Sequence, residues 1–321
     1  MSDGHGRPEW TDIRERGNLQ AMRLLFWFYR HGGRFLVYPV VCVVVFYFYL
    51  TRSATRRHSA LYLQRATNKP VTRWQVWRHH MAFARALMDR LGAWMGRIER
   101  TNVSFPGHAT MLELQKKKQG GVLLGAHFGN LEMCRAVVEN DGSLKLNVIL
   151  HTANTENFNE LLRSASDKAE VRLIQVTEVT PATAMMLKEK LDQGEFLILL
   201  ADRLPPGNSE RFFSADFLGA QAQFPTGPFW LALMLDVPVF FMAGYTTPAG
   251  YEASLELLYD GGRVPRSHRD AVCQEILGAY LQHLEALCRK YPLQWFNFFD
   301  YWNDDQNTNK RDAGVTGHND R

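Results

Sequence analysis

Two groups able to move protons stand five positions apart in the stretch Gly125-Ala126-His127-Phe128-Gly129-Asn130-Leu131-Glu132. On one continuous helix, at about 100° per residue, His127 and Glu132 would lie roughly 140° apart, too far to hydrogen-bond. A turn must therefore separate them. Gly129 can supply it because glycine accepts a positive φ, and Asn130 is a good N-cap for a following helix. With the carboxylate on one imidazole nitrogen and the other facing solvent or substrate, the pair makes two-thirds of a Ser-His-Asp triad without the protein nucleophile. His127 is then the general base, Glu132 fixes its tautomer, and the hydroxyl that loses its proton belongs to a bound substrate. Such a site transfers a group directly onto an alcohol. The plainer alternative has His127 capping a strand end and Glu132 in a solvated first helical turn, where a carboxylate suits the helix dipole.

Other charged and aromatic stretches could join this pair. Leu199-Leu200-Ala201-Asp202-Arg203 puts two charges directly after an apolar run. Either they form an ion pair that holds the loop, or Arg203 meets a phosphate or developing oxyanion. The loop Pro205-Pro206-Gly207-Asn208-Ser209 that follows is suited to covering a site. Residues 217–228 lead into a helix whose first turn suits Pro225 or Pro228, and whose free N–H groups either bind an anion or merely anchor the turn. The segment Tyr291 to Trp302 is unusually aromatic and reads as a core edge, the wall of an apolar ligand site or a membrane-dipping lip. His79-His80 read as surface or packed histidines.

The elements that must position these residues follow from periodicity. Strands are expected at 102–105, 121–126, 144–150, 171–175, 195–200, 237–243 and 252–258. Helices are expected near 109–118, 131–140, 156–168, 181–193, 225–235 and 268–290. Alternation of this kind predicts an α/β fold with a mostly parallel central sheet flanked by helices, and puts His127 just beyond the carboxyl end of a strand, where sites in such sheets lie. There is no G-x-S-x-G elbow, P-loop, G-x-G-x-x-G fingerprint or H-E-x-x-H helix, so serine hydrolases, P-loop NTPases, simple Rossmann enzymes and zincins are not first choices. Four scattered cysteines indicate neither a disulfide framework nor a zinc site, and no metal is expected.

The first hundred residues have a different character. An aromatic-rich helix begins at Leu19, and after His31-Gly32-Gly33-Arg34 comes an apolar run of 16 residues, Phe35 to Leu50, with Pro39 inside it. This is short of the roughly 20 residues that span a bilayer. Tyr38, Tyr47 and Tyr49 lie near its ends and arginines flank it, as in a membrane anchor. The strongly basic stretch from Arg52 to Arg100 suits an anionic membrane surface. A buried core helix would leave those arginines unexplained. Residues 52–66 and 72–98 read as two amphipathic helices. The chain thus divides into a helical N-terminal region at 1–100 with an anchor at about 19–50, an α/β domain at 101–302 and a polar tail at 303–321.

Several blocks together resemble a known family. Gly125-Ala126-His127-Phe128-Gly129-Asn130-Leu131-Glu132 resembles the H-x-x-x-x-D/E block of the bacterial lipid A late acyltransferases, the lauroyl and myristoyl transferases, within the wider glycerolipid acyltransferase group. The same order continues through Ala201-Asp202, then Phe217 to Ala232 with Gly219, Ala222, Pro225, Gly227 and Pro228 in place, then Pro238-Val239 and Tyr291-Pro292-x-Gln294-Trp295. The resemblance implies that His127 and Glu132 are the catalytic pair, that Asp202 falls on a family acidic position and that Arg163 matches the family arginine. Arg163, Asp202, Arg203, Asn130 and Gly129 are expected on the substrate-binding side. It implies transfer of a fatty acyl group from a thioester, acyl carrier protein or CoA, to a hydroxyl of a membrane lipid, with no further cofactor and no nucleic acid. The location implied is the bacterial inner membrane, with the catalytic domain on the cytoplasmic side. Leu131 stands where the family usually has Trp, and Phe298 to Trp302 replace a His/Arg-rich end block. The acceptor is accordingly either a lipid A-type glycolipid or another one, such as an aryl polyene lipid; a non-catalytic lipid-binding protein is the reading from another class.

Overall fold

The computed structural model describes residues 19–94, 103–134, 144–150, 172–175, 180–204 and 211–302. Its helices are α1 (Leu19–Thr51), α2 (Ser53–Thr67), α3 (Arg73–Trp94), α4 (His108–Lys116), α5 (Pro181–Asp192), α6 (Gly227–Met234) and α7 (Arg269–Lys290). Its strands are β1 (Val103–Ser104), β2 (Gly121–Gly125), β3 (Leu146–Leu150), β4 (Arg172–Gln175), β5 (Phe196–Leu200), β6 (Phe212–Phe217), β7 (Ala220–Pro225), β8 (Val239–Thr247) and β9 (Gly250–Tyr259). The expected helix at 156–168, with Arg163, and the loop at 205–209 lie outside the described residues, as do the rest of the helix that starts at 131 and the polar tail.

β2 and β5 are continuous apolar runs because both of their faces are covered. Val122, Leu124, Leu197 and Leu199 pack into one buried cluster with α7 and the aromatic segment at 295–302, while Leu123, Phe196 and Ile198 pack into another with Met111 of α4. The sheet order is β1-β9-β8-β2-β5-β3-β4. β4, β3, β5, β2 and β8 run parallel, β9 runs antiparallel to β8, and β1 pairs parallel with β9. The sheet is thus mostly parallel but mixed. The reversal comes from the short link between β8 and β9, Pro248-Ala249, since a parallel pair needs a crossover of about a dozen residues. A separate two-stranded sheet, β6 with β7, was not expected from the sequence. It turns at Leu218 and Gly219, both at positive φ (51° and 77°), the geometry that tight hairpins favour.

The N-terminal region also departs from expectation. No break occurs at Gly32-Gly33: α1 runs through them and through Pro39. Among the described residues no single helix is long and apolar enough to cross a membrane; Val37–Thr51 passes only jointly with Ser53–Thr67, across a 94° bend. One face of α1 packs on α3, with Val37 buried beside Met88, and Phe46 and Tyr49 edge-on to Trp77 at 5.8 and 5.2 Å. The opposite face leaves Val40, Val43, Val44 and Tyr47, at i, i+3, i+4 and i+7, exposed to solvent.

Candidate active site

Sheet register brings the site together. β2 pairs with β5 so that Gly125 faces Leu200, and the Ala201 N–H continues the ladder to the Gly125 carbonyl at 3.0 Å. Neighbouring strands are about 4.8 Å apart. His127 and Asp202, each two residues beyond its strand, therefore emerge side by side at the carboxyl end of the sheet.

The contact between them is direct. His127 Nδ1 lies 2.8 Å from Asp202 Oδ1, and the His127 backbone N–H donates to Oδ2 at 2.9 Å. A carboxylate only accepts, so Nδ1 carries the ring proton and Nε2 keeps its basic lone pair. The His127 side chain is one-third exposed whereas Asp202 is fully buried. Burial holds the imidazole below its ordinary pKa against the opposing pull of Asp202, and the Arg203 and Arg90 charges lower it further. For Asp202, burial alone would raise the carboxyl, but His127 and its hydrogen bonds, with Arg203, hold it down at about 2. A neutral imidazole beside an ionised carboxylate is the result, with one nitrogen free to take a proton.

The sequence expectation paired His127 with Glu132; here the Nδ1 partner is Asp202. Glu132 is half-buried on the helical turn at 131–134, and its N–H donates to Asn130 Oδ1 at 3.2 Å, an N-cap. Asn130 is buried and builds the loop, and so does Gly129. Gly129 sits at φ 59°, and a Cβ there would run into the Gly244 carbonyl, which accepts from the Asn130 N–H at 2.7 Å. On its other side the loop pairs with the segment after α7: the Gly129 N–H donates to Gln294 O at 2.7 Å and the Phe296 N–H to His127 O at 3.0 Å. That segment also reaches Asp202. The Trp295 indole N–H donates to Oδ2 at 3.0 Å and the Tyr301 hydroxyl to the Asp202 carbonyl at 2.7 Å.

Arg203 lies in the same layer, its guanidinium donating to Phe296 O at 2.5 Å and stacking 5.1 Å from the Phe299 ring. Its Nε has no partner among the described residues. The sequence reading missed Trp295 and Tyr301 as parts of the site; the aromatic segment was visible, but nothing in its spacing pointed at Asp202. A cleft of about 350 Å³ between α2, the start of α3 and residues 290–294 is lined by Leu63, Val71, Arg78 and Lys290, and does not include His127.

With no serine or cysteine bonded to its imidazole among the described residues, this pair suits deprotonation of a bound hydroxyl. No individually curated protein matches the chain. The family model of the bacterial lipid A biosynthesis acyltransferases matches residues 75–303, which take in β2, β5, both members of the pair and the aromatic segment. The chain belongs to the bacterial lipid A biosynthesis acyltransferase family, and it is an acyltransferase.

Proposed function

We propose that this enzyme moves a fatty acyl chain from the thioester of an acyl carrier protein to a hydroxyl of a lipid A-type glycolipid, with His127 as general base and Asp202 as its orienting carboxylate. The observation that carries the reading is the Nδ1 to Asp202 bond in a chain of this family, which leaves Nε2 as the acceptor. Nε2 takes the hydroxyl proton as the acceptor oxygen attacks the thioester carbonyl. The tetrahedral intermediate then collapses, expelling the thiolate, which recovers the proton from the imidazolium. An ester and a free thiol result, and no acyl-enzyme forms. Asp202 stabilises the imidazolium between these steps, as the acid of a triad does. Arg203 supplies positive charge for the oxyanion or for an acceptor phosphate. Arg163 is kept as a group of the substrate side on the likeness of its sequence block to the family; the same likeness keeps Glu132 at the catalytic centre, on the turn that follows His127 but not as the Nδ1 partner.

Attachment to the membrane is part of the proposal, at the cytoplasmic face of the inner membrane. Its support is the exposed stripe Val40, Val43, Val44 and Tyr47 on α1, with Trp74 exposed nearby and Arg52, Arg57, Arg73 and Arg78 at the surface. A helix packed on α3 along one side and apolar on the other fits an in-plane anchor, the domain boundaries being those of the helical region and the α/β unit. The test is transfer in mixed micelles from acyl carrier protein and CoA thioesters to lipid A-type, other glycolipid and aryl polyene acceptors. An ester on the lipid A-type hydroxyl, formed faster than on the others, supports the reading. Preference for another acceptor overturns the acceptor assignment, and an acyl group trapped on Cys134 or a serine overturns direct transfer.

A further inference from the structure

Asp202 is held from behind as well as by its imidazole. Asp202 and Trp295 are both fully buried, and the indole is caged by Tyr62 at 4.9 Å, Phe217 at 5.2 Å and Tyr301 at 4.9 Å. Its N–H is thereby aimed at Oδ2. The Trp295 main chain is tied from the helical layer: its carbonyl lies 3.0 Å from His79 Nε2 on α3, and His79 Nδ1 lies 2.8 Å from the Ser59 hydroxyl on α2. A carbonyl only accepts, so the His79 proton sits on Nε2 and Nδ1 accepts from Ser59. Burial depresses His79 to about 3, so the ring stays neutral and keeps this tautomer.

We propose that Trp295 is a positioning residue for the His127–Asp202 pair, and that α2 and α3 hold it in place through His79. Oδ2 accepts two N–H donors, one from the His127 backbone and one from Trp295. Removing the indole donor leaves one, concentrates charge on the carboxylate facing the imidazole and frees the carboxylate to rotate. The imidazolium is then favoured. Among the described residues, the other charged and titratable groups around the pair are Arg203, Arg90 of α3, Tyr301, and Tyr280 and Cys288 of α7. Substitution of Trp295 leaves all of them in place.

The experiment is a pH titration of the His127 ring by NMR with labelled histidine, beside steady-state kinetics, for the wild type, Trp295→Phe, His79→Leu and His79→Gln. Trp295→Phe keeps an aromatic ring in the cage but removes the donor, and the volume it also loses acts on stability, which the melting temperature reads separately. His127 should titrate at higher pH in it, and kcat should fall about ten- to hundredfold with KM for the thioester nearly unchanged. His79→Leu should move both readouts in the same direction by less, and His79→Gln, whose amide can still donate to the Trp295 carbonyl, should recover most of the loss. A merely structural role would lower the melting temperature without moving the His127 titration. An unshifted titration in Trp295→Phe overturns the assignment of Trp295, and an unshifted one in His79→Leu overturns the link to the helical layer. The kinetic arm rests on the acyl-transfer reading but the titration does not, so a wild type that titrates as expected and transfers nothing counts against that reading alone.

Discussion

Asp202→Asn separates the two carboxylates that could act through His127. In the native site Oδ2 accepts from two donors, the His127 N–H and the Trp295 indole, while Oδ1 faces Nδ1. An asparagine must choose which position its oxygen takes. If its NH₂ faced the two donors, both would be left buried and unpaired at about 1–3 kcal/mol each. The oxygen therefore takes the Oδ2 position and the NH₂ points at Nδ1. That group donates, so Nδ1 must give up its proton, and the proton moves to Nε2, the nitrogen that has to accept from the substrate. The equivalent change in a serine protease triad costs about 10⁴-fold in kcat, or about 5.5 kcal/mol. A loss of about 10³- to 10⁴-fold is expected here, with the melting temperature little changed, read by single-turnover transfer with enzyme in excess so that product release does not mask chemistry. Glu132→Gln should lose less, because Glu132 is not the group on Nδ1. Asp202→Asn within tenfold of the wild type, or Glu132→Gln falling as far as Asp202→Asn, would refute the reasoning.

Two further outcomes follow from His127 and His79. His127 must be neutral to act, and its pKa is depressed by burial, so chemistry-limited transfer should stay flat through neutral pH and fall only as pH drops through that depressed value; an acid limb above the ordinary imidazole range would contradict this. His79 titrates near 6.5 when unfolded and near 3 when folded, so the unfolded chain binds more protons between those values, and stability present above pH 6.5 is lost as pH falls through the window. The loss from this one group amounts to up to about 4–5 kcal/mol, and His79→Gln should flatten the acid side of a stability-versus-pH profile measured by denaturant unfolding.

The main sheet was legible wherever strands are covered on both faces, as in Gly121–Gly125 and Phe196–Leu200, because burial writes a continuous apolar run. The β6–β7 hairpin was not, since Ser214, Asp216, Gln221 and Gln223 break up its apolar residues, and the paired positive φ at Leu218 and Gly219 has only one glycine to announce it. His127 could be singled out by its place after a strand. Its partner could not: Glu132 is five residues away, whereas Asp202 reaches it through a register that spans 75 residues. Sequence proximity favoured Glu132, and the pairing of β2 with β5 is what brings Asp202 to Nδ1 instead. The tie from His79 to the Trp295 carbonyl was hidden for the same reason, as a packed histidine and one that anchors a distant main chain look alike in sequence.

The ties that orient the His127–Asp202 pair also bear on when that geometry comes into being during folding. His79 and Trp295 are 216 residues apart, and Trp295 and Tyr301 lie 93 and 99 residues beyond Asp202. Contacts of such separation carry the largest loop-closure cost and form late. Until the aromatic segment docks, Asp202 lacks its indole donor and the His127 loop lacks its backbone partners at 294 and 296. A partly folded chain can thus own both members of the pair and still hold no oriented imidazole. Reactivity toward an acyl donor becomes a property of the finished fold, so folding intermediates stay chemically silent.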